Sequence, residues 1–364
     1  MDERTRSRLN AIKNRMKATK TQLVALGPGA HMQWVLGFHP HPDERPCLLL
    51  IGETKEAFLM PSLNAEDTSQ RSTITCHKWS DDEGPVRALI SALDDVGTRQ
   101  ASHIVIDETM RADFAMLLVD QIPSASRSFT GKTVGFLRMR KDDLDYRSLK
   151  ENAAIADQAM QRGFAEIKPG LSELEIVARI QDEFKSQKAD TKFAIVGSGS
   201  NGALPHHKPG SRALEMGDPI VIDIGGQKGE YCSDITRVAV FGKPSDEFKK
   251  IHSIVNDAVM SALAVARPGI QAREIDQAAR RVISNAGYGD YFVHRTGHGL
   301  GIEVHEPPYI TATSETVMET GMVFSIEPGI YLPGKFGIRL EEIVILRDNG
   351  PEILSTLTRD IKRI

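Results

Sequence analysis

Residues 155–176 (IADQAMQRGFAEIKPGLSELEI) align without a gap with residues 254–275 (IVNDAVMSALAVARPGIQAREI), at a constant offset of 99. Each copy reads as a helix that runs into Lys/Arg-Pro-Gly, after which a second helix starts near Ser172 or Gln271. Strand-rich sequence containing acids follows both copies. A helix–helix–strands unit used twice implies a domain with internal pseudo-twofold symmetry. A site at its centre would draw side chains from both halves.

The acids support that expectation. In residues 221–237 (VIDIGGQKGEYCSDITR), Asp223 interrupts an apolar strand, Gly225, Gly226 and Gly229 supply a turn, and Asp234 precedes a second strand. A charged, unpaired acid in an apolar strand costs several kcal/mol. A hairpin sets Asp223 and Asp234 side by side, where two anions repel. A divalent cation relieves both problems, and Arg237 offers a competing partner. The second half repeats the pattern: Glu327 ends the apolar run 322–326 before Pro328-Gly329, and Glu341 returns fourteen residues later after Ile338 and Leu340. His298 sits between Gly297 and Gly299, where missing side chains let backbone and metal approach closely. Asp223, Asp234, His298, Glu327 and Glu341 are therefore the candidate ligands. Four carboxylates and one imidazole suit two ions better than one, and four negative charges balance two divalent cations. Oxygen-rich ligation favours Mn²⁺, Co²⁺ or Fe²⁺ over a thiolate-type zinc site. Two ions about 3.5–4 Å apart can share a water, lower its pKa and polarise a carbonyl.

At 364 residues the chain is long enough for two domains. Its start reads as a helix with Leu9, Ile12 and Met16 on one face. The apolar runs 22–26, 47–51, 57–60 and 103–106 then alternate with helical stretches 86–93 and 110–122, which argues for an α/β domain. The charged stretch 138–147 (RMRKDDLDYR) reads as a linker, giving domains 1–143 and 144–364. Residues 37–46 (GFHPHPDERP) form a loop. Gly197 to Gly202 match G-x-G-x-x-G, but the following ALPHHKPG cannot start a regular helix, so no dinucleotide site is expected. A net charge of −4 gives no reason to expect nucleic acid or an anionic membrane. No apolar run approaches the ~20 residues of a membrane span. Three widely spaced cysteines imply neither a disulfide framework nor a cysteine-based metal site. The charged first residues lack the apolar core of a secretory signal, so a cytoplasmic protein is expected.

Taken together, these motifs resemble those of the metal-dependent Xaa-Pro peptidases of family M24, the prolidases and aminopeptidases P, over essentially the whole chain. The resemblance implies a creatinase/prolidase-type N-terminal α/β domain followed by a catalytic pita-bread domain, α/β and α+β in class. It implies that Asp223 binds one metal, that His298 and Glu327 bind the other, and that Asp234 and Glu341 bridge them. Glu327 would also transfer a proton from a bridging hydroxide or water. His206 would contact the substrate backbone or carboxylate, His305 would steady the oxyanion, and His294 would line the site. Arg339 would support the bridging Glu341, while His207 is expected to be solvated. Mn²⁺ or Co²⁺ is the expected metal, with Zn²⁺ or Fe²⁺ as alternatives. The family also implies a homodimer in which the 37–46 loop, with His39, His41 and Arg45, reaches over the partner's site as a lid. Two departures stand out: Glu342 where Asp is common, and Trp34-Val35-Leu36-Gly37-Phe38 in place of Tyr-Leu-Thr-Gly-Phe. The expected reaction is hydrolysis of the Xaa-Pro bond in dipeptides or short peptides. Action on longer peptides, hydrolysis of a non-peptide amide, and an inactive peptide-binding module are the alternatives.

Overall fold

The computed structural model describes residues 2–364, which divide into two compact units between Arg138 and Met139. The division falls before the 143/144 boundary expected from sequence. The charged stretch is not a free linker. Asp142 caps the helix Asp143–Glu166, its side chain accepting from Leu144 and Asp145, while Asp145 reaches back to the Asp142 amide. The acids that looked like linker are the first turn of a helix, where the positive end of the dipole favours them.

In the first unit a six-stranded mixed sheet runs in the order Thr75–Trp79, Glu56–Pro61, Leu48–Gly52, Leu23–Leu26, His103–Ile106, Ser126–Phe129. Leu23, Leu48, Leu50, Leu59, Ile104, Phe114 and Leu118 fill one side of it. The opening helix, Glu3–Thr19, buries Leu9, Ile12 and Met16 as its spacing predicts. None of the three cysteines forms a disulfide. Cys47 is buried, which pushes its thiol up to about 12, and Cys232 is buried too, leaving Cys76 half-buried on an edge strand. Alkylation of the native protein should therefore label at most one thiol, Cys76, and all three only in denaturant. Mass spectrometry of the labelled peptides checks this, and rapid native labelling of Cys47 would contradict it.

The second unit carries the repeat. Helices Asp143–Glu166 and Glu173–Ser186 accompany a sheet built on Asp190–Ser198, Pro219–Lys228 and Ile235–Val240. Helices Asp246–Val265 and Ala272–Asn285 accompany a sheet built on Gly297–Gly299, Glu306–Ile310, Val323–Ile326, Glu342–Arg347 and Gly350–Ile353. Each second helix starts with a capping box, Ser172 with Glu175 and Gln271 with Glu274. Each Lys/Arg-Pro-Gly break ends in a left-handed glycine, Gly170 at φ 80° and Gly269 at φ 92°. Ser172 bridges to Ala213 and Gln271 to Val317, so the two copies also dock alike. A hairpin, Gly329–Leu332 with Phe336–Arg339, completes the unit. Among the described residues no helix is long and apolar enough to cross a membrane.

Candidate active site

Asp223 lies in the middle of Pro219–Lys228, and its cross-strand partner is Thr236, not Asp234. Because Ile224 faces Ile235, Asp234 stands diagonally to Asp223 just before its strand begins. Asp223 and Asp234 are thus diagonal neighbours and not directly opposed, and the Thr236 hydroxyl links Asp223 to Glu341. Thr236 Oγ1 is 2.9 Å from Asp223 Oδ1 and 2.8 Å from Glu341 Oε2. Glu341 itself occupies the break between Phe336–Arg339 and Glu342–Arg347, while Glu327 follows Val323–Ile326 and bonds its amide to Thr296 O.

His298 is held on the three-residue strand Gly297–Gly299. A Cβ on Gly297 would stand 1.9 Å from Ser325 O, and one on Gly299 would stand 2.4 Å from Pro307 O. The flanking glycines admit the neighbouring strands, so it is backbone crowding that requires them. The imidazole Nδ1 bonds Gly299 O at 3.1 Å, which turns Nε2 towards Glu327 Oε1 at 3.1 Å and Asp234 Oδ2 at 3.7 Å. Ligand-type atoms of Asp234, His298 and Glu341 all lie within 4.8 Å of one another. With Nδ1 occupied, Nε2 can give a proton to Glu327 or a lone pair to a cation.

The electrostatics show what the cluster lacks. Burial, reinforced by the facing carboxylates, pushes Asp234 and Glu341 well above the ordinary carboxylate range. Burial also acts to raise Glu327, but His298, His294 and Arg339 overcome it and hold that carboxyl down to about 2. Thr236 has one hydroxyl proton for two carboxylate oxygens, and Glu341 Oε1 is buried without a hydrogen-bond partner. A cluster of four acids short of donors fits divalent cations, and its oxygen-rich chemistry suits hard or borderline ions.

Arg339 reaches the cluster from beside it. It bonds Asp223 Oδ2, Thr236 Oγ1 at 3.2 Å, Tyr331 OH at 2.7 Å and Pro205 O at 3.2 Å. Its direct carboxylate partner is Asp223 and not Glu341, which it touches only through Thr236. Tyr331 accepts from Arg339 and gives its own proton to His294 Nε2 at 2.8 Å, while His294 Nδ1 donates to Arg295 O at 2.7 Å. Both nitrogens of His294 are therefore engaged inside the protein, although the residue lines the cavity.

That cavity has a volume of about 740 Å³ and contains all five candidate ligands. Phe193, Ile195 and Val304 give it an apolar side, and His206, Arg295 and His305 add polar groups. The His305 ring lies 4.1 Å from that of His298, and partial burial with His298 and Arg295 nearby brings it down to about 4. His207 is not solvated as expected: its Nε2 lies 2.8 Å from the buried carboxylate of Glu173. His39 and Arg45 lie in the first unit, where Arg45 forks onto Asp81 at 3.0 Å through two nitrogens and His39 bonds Pro40 O. Thr236, Tyr331 and Arg295 were missed by sequence reasoning. A tyrosine inside the apolar hairpin strand GIYL was the one available signal, since a buried phenol needs a partner.

Comparison with known proteins agrees with this architecture. Residues 8–140 match the creatinase/prolidase N-terminal domain, and residues 147–348 match metallopeptidase family M24. The chain is 35% identical over 334 residues to a probable dipeptidase, PepE, of Mycobacterium tuberculosis, covering 90% of this chain and 88% of that one. It is 30% identical over 366 residues to an Xaa-Pro dipeptidase of Lactobacillus delbrueckii subsp. lactis, covering 97% and 98%. The crystal structure of a prolidase from Thermococcus sibiricus superposes with a TM-score of 0.91 at 34% identity, over the whole of both chains. Matches that run from end to end, on a pita-bread fold preceded by a creatinase/prolidase domain, make this chain a hydrolase of metallopeptidase family M24.

Proposed function

We propose that the protein hydrolyses the Xaa-Pro bond of dipeptides with two divalent ions held by Asp223, Asp234, His298, Glu327 and Glu341. The observation that carries this is the convergence of those five side chains on one cavity, with a buried oxygen of Glu341 left without a donor. Its relatives named as Xaa-Pro dipeptidases supply the substrate class. Asp223 would help to hold one ion and His298 and Glu327 the other, with Asp234 and Glu341 contributing to both. When bound, the ions supply Lewis-acid polarisation of the scissile carbonyl and a water of lowered pKa. Mn²⁺ or Co²⁺ matches the oxygen-rich donor set, with Fe²⁺ or Zn²⁺ as substitutes.

The protein's own groups do the rest. A bond to proline is a tertiary amide without an N–H, so the leaving nitrogen must receive a proton as the carbon–nitrogen bond breaks. Glu327 takes a proton from the attacking water and passes it towards that nitrogen. His305 offers a hydrogen bond to the developing oxyanion. His206 holds the substrate backbone or carboxylate, His294 completes the wall, and Arg339 orients Asp223. The apolar side of the cavity excludes water. In a cytoplasmic homodimer, His39 and Arg45 would close over the partner subunit's site and restrict substrates to dipeptides.

The test compares Ala-Pro with Ala-Pro-Ala, using chelated enzyme with and without Mn²⁺ or Co²⁺. Metal-dependent release of proline from the dipeptide alone is the expected result. Removal of alanine from the tripeptide would make the enzyme an aminopeptidase. Metal binding without cleavage of either peptide would end the Xaa-Pro assignment.

A further inference from the structure

The glycine-rich stretch and His207 belong to one construction that the reaction chemistry above leaves unexplained. Glu173 is the first residue of Glu173–Ser186, yet it plays no part in capping that helix, because Glu175 bonds the Ser172 amide at 2.8 Å. The Glu173 side chain is fully buried and accepts five hydrogen bonds from the 198–210 loop. Oε1 takes Ser198 N at 2.8 Å, Ser198 Oγ at 2.7 Å and Asn201 Nδ2 at 2.9 Å. Oε2 takes His207 Nε2 at 2.8 Å and Gly210 N at 3.0 Å. One carboxylate thus gathers both ends of the loop. Burial acts to raise its pKa, but the bonds from Asn201, His207 and Ser198 outweigh that and hold it below the ordinary value. Ser198 is steadied in turn by Arg212, which pairs with Asp218.

The glycines serve close packing. A Cβ on Gly337 would lie 2.1 Å from Gly202 O, so the loop presses directly on the hairpin that carries Arg339. His206 is exposed in the cavity, and the loop is pinned on both sides of it. Before it, Pro205 O accepts from Arg339; after it, the His207 ring bonds Glu173. The backbone that carries this exposed imidazole is therefore held at both neighbours.

We propose that Glu173 and His207 are positioning residues that present His206 to the substrate, which rests on the reading of His206 as a substrate contact. Hydrogen bonds to a carboxylate are stronger than those between neutral groups, so their loss should be visible where His206 acts. Glu173→Gln and His207→Ala should each raise KM for Ala-Pro by about tenfold while kcat changes by less than about threefold. His207→Gln, which restores a donor near the Nε2 position, should recover most of the loss. Combined with His206→Ala, neither substitution should add to the effect of His206→Ala alone. Hydrogen exchange gives a readout independent of turnover: the amides of Ser198 and Gly210 should exchange faster in Glu173→Gln, with metal content unchanged. Losses that multiply with those of His206→Ala, or loop amides that stay protected, overturn the proposal. A His206→Ala variant with normal KM beside a loosened loop overturns the reading of His206 and the proposal with it.

Discussion

Stripped of divalent ions at pH 8, the protein will melt about 5–10 °C below its metal-loaded form, and the gap will narrow at pH 5. Without cations, Asp234 and Glu341 hold protons in the folded state at pH values where the unfolded chain has released them. Each carboxyl pKa is raised on folding, so between the unfolded and folded values the native state binds more protons. Stability then falls as pH rises through that window. Metal binding works in the opposite direction, because it needs the deprotonated ligands and strengthens as they lose protons. A metal present at a hundred times its dissociation constant stabilises by about 2.7 kcal/mol, and each kcal/mol moves the midpoint by roughly 2–4 °C for a domain of this size. Glu341→Gln separates stability from function. It removes one carboxyl that must take up a proton to be buried without metal, so the chelated variant should melt above chelated wild type at pH 8, while losing its response to Mn²⁺ and about 10³-fold or more in kcat/KM. Differential scanning calorimetry with metal analysis measures the first two, and steady-state kinetics on Ala-Pro the third. A chelated wild type that melts like the loaded protein at pH 8 would refute the donor-deficit reading of the site.

The candidate ligands were legible in the sequence because an acid inside an apolar strand is conspicuous, and the same device occurs in both halves of the repeat. The helix pairs were legible for a similar reason: Pro-Gly breaks and capping boxes are local signals that need no tertiary information. Partners across space were not. Hydrophobic pattern brings Asp223 and Asp234 onto one hairpin, but only the register places Thr236 opposite Asp223. No spacing rule sends Arg339 to Asp223 in place of Glu341, or His207 to Glu173, since each contact joins segments far apart in the chain. Two strands also escaped notice, Thr75–Trp79 and Ser126–Phe129. Both are sheet edges, the first partly and the second fully exposed, and so lack the apolar run by which central strands announce themselves. Charge misled in one place, where acids that cap Asp143–Glu166 looked like a linker.

Arg339→Met will cost about 10²–10³-fold in kcat/KM and weaken metal binding, and Arg339→Lys will recover little of either. The guanidinium spends its donors in four directions, on Asp223, Thr236, Tyr331 and Pro205. A lysine is a point charge on a flexible stem and cannot reproduce that fork. Removing one member of a buried ion pair costs about 3–5 kcal/mol, because the partner keeps its desolvation cost without its compensation. Asp223 would lose the donor that fixes its Oδ2, and a carboxylate that is no longer held in place is a poorer cation ligand. The damage should spread further, since Pro205 O loses its donor next to His206, and Tyr331 loses the donor that orients it towards His294. Tyr331→Phe isolates the last of these and should cost only about 3–10-fold, because the guanidinium keeps Asp223, Thr236 and Pro205 as partners. Metal titration followed by steady-state kinetics on Ala-Pro ranks the three variants. Should Tyr331→Phe prove as damaging as Arg339→Met, the essential contact of Arg339 would be the phenol, and its charge beside Asp223 would be incidental. If Arg339→Lys turns over normally, neither geometry matters and a nearby positive charge is sufficient. The fourfold hydrogen bonding argues against both results, because a group needed only for its charge has no reason to be buried with every direction assigned.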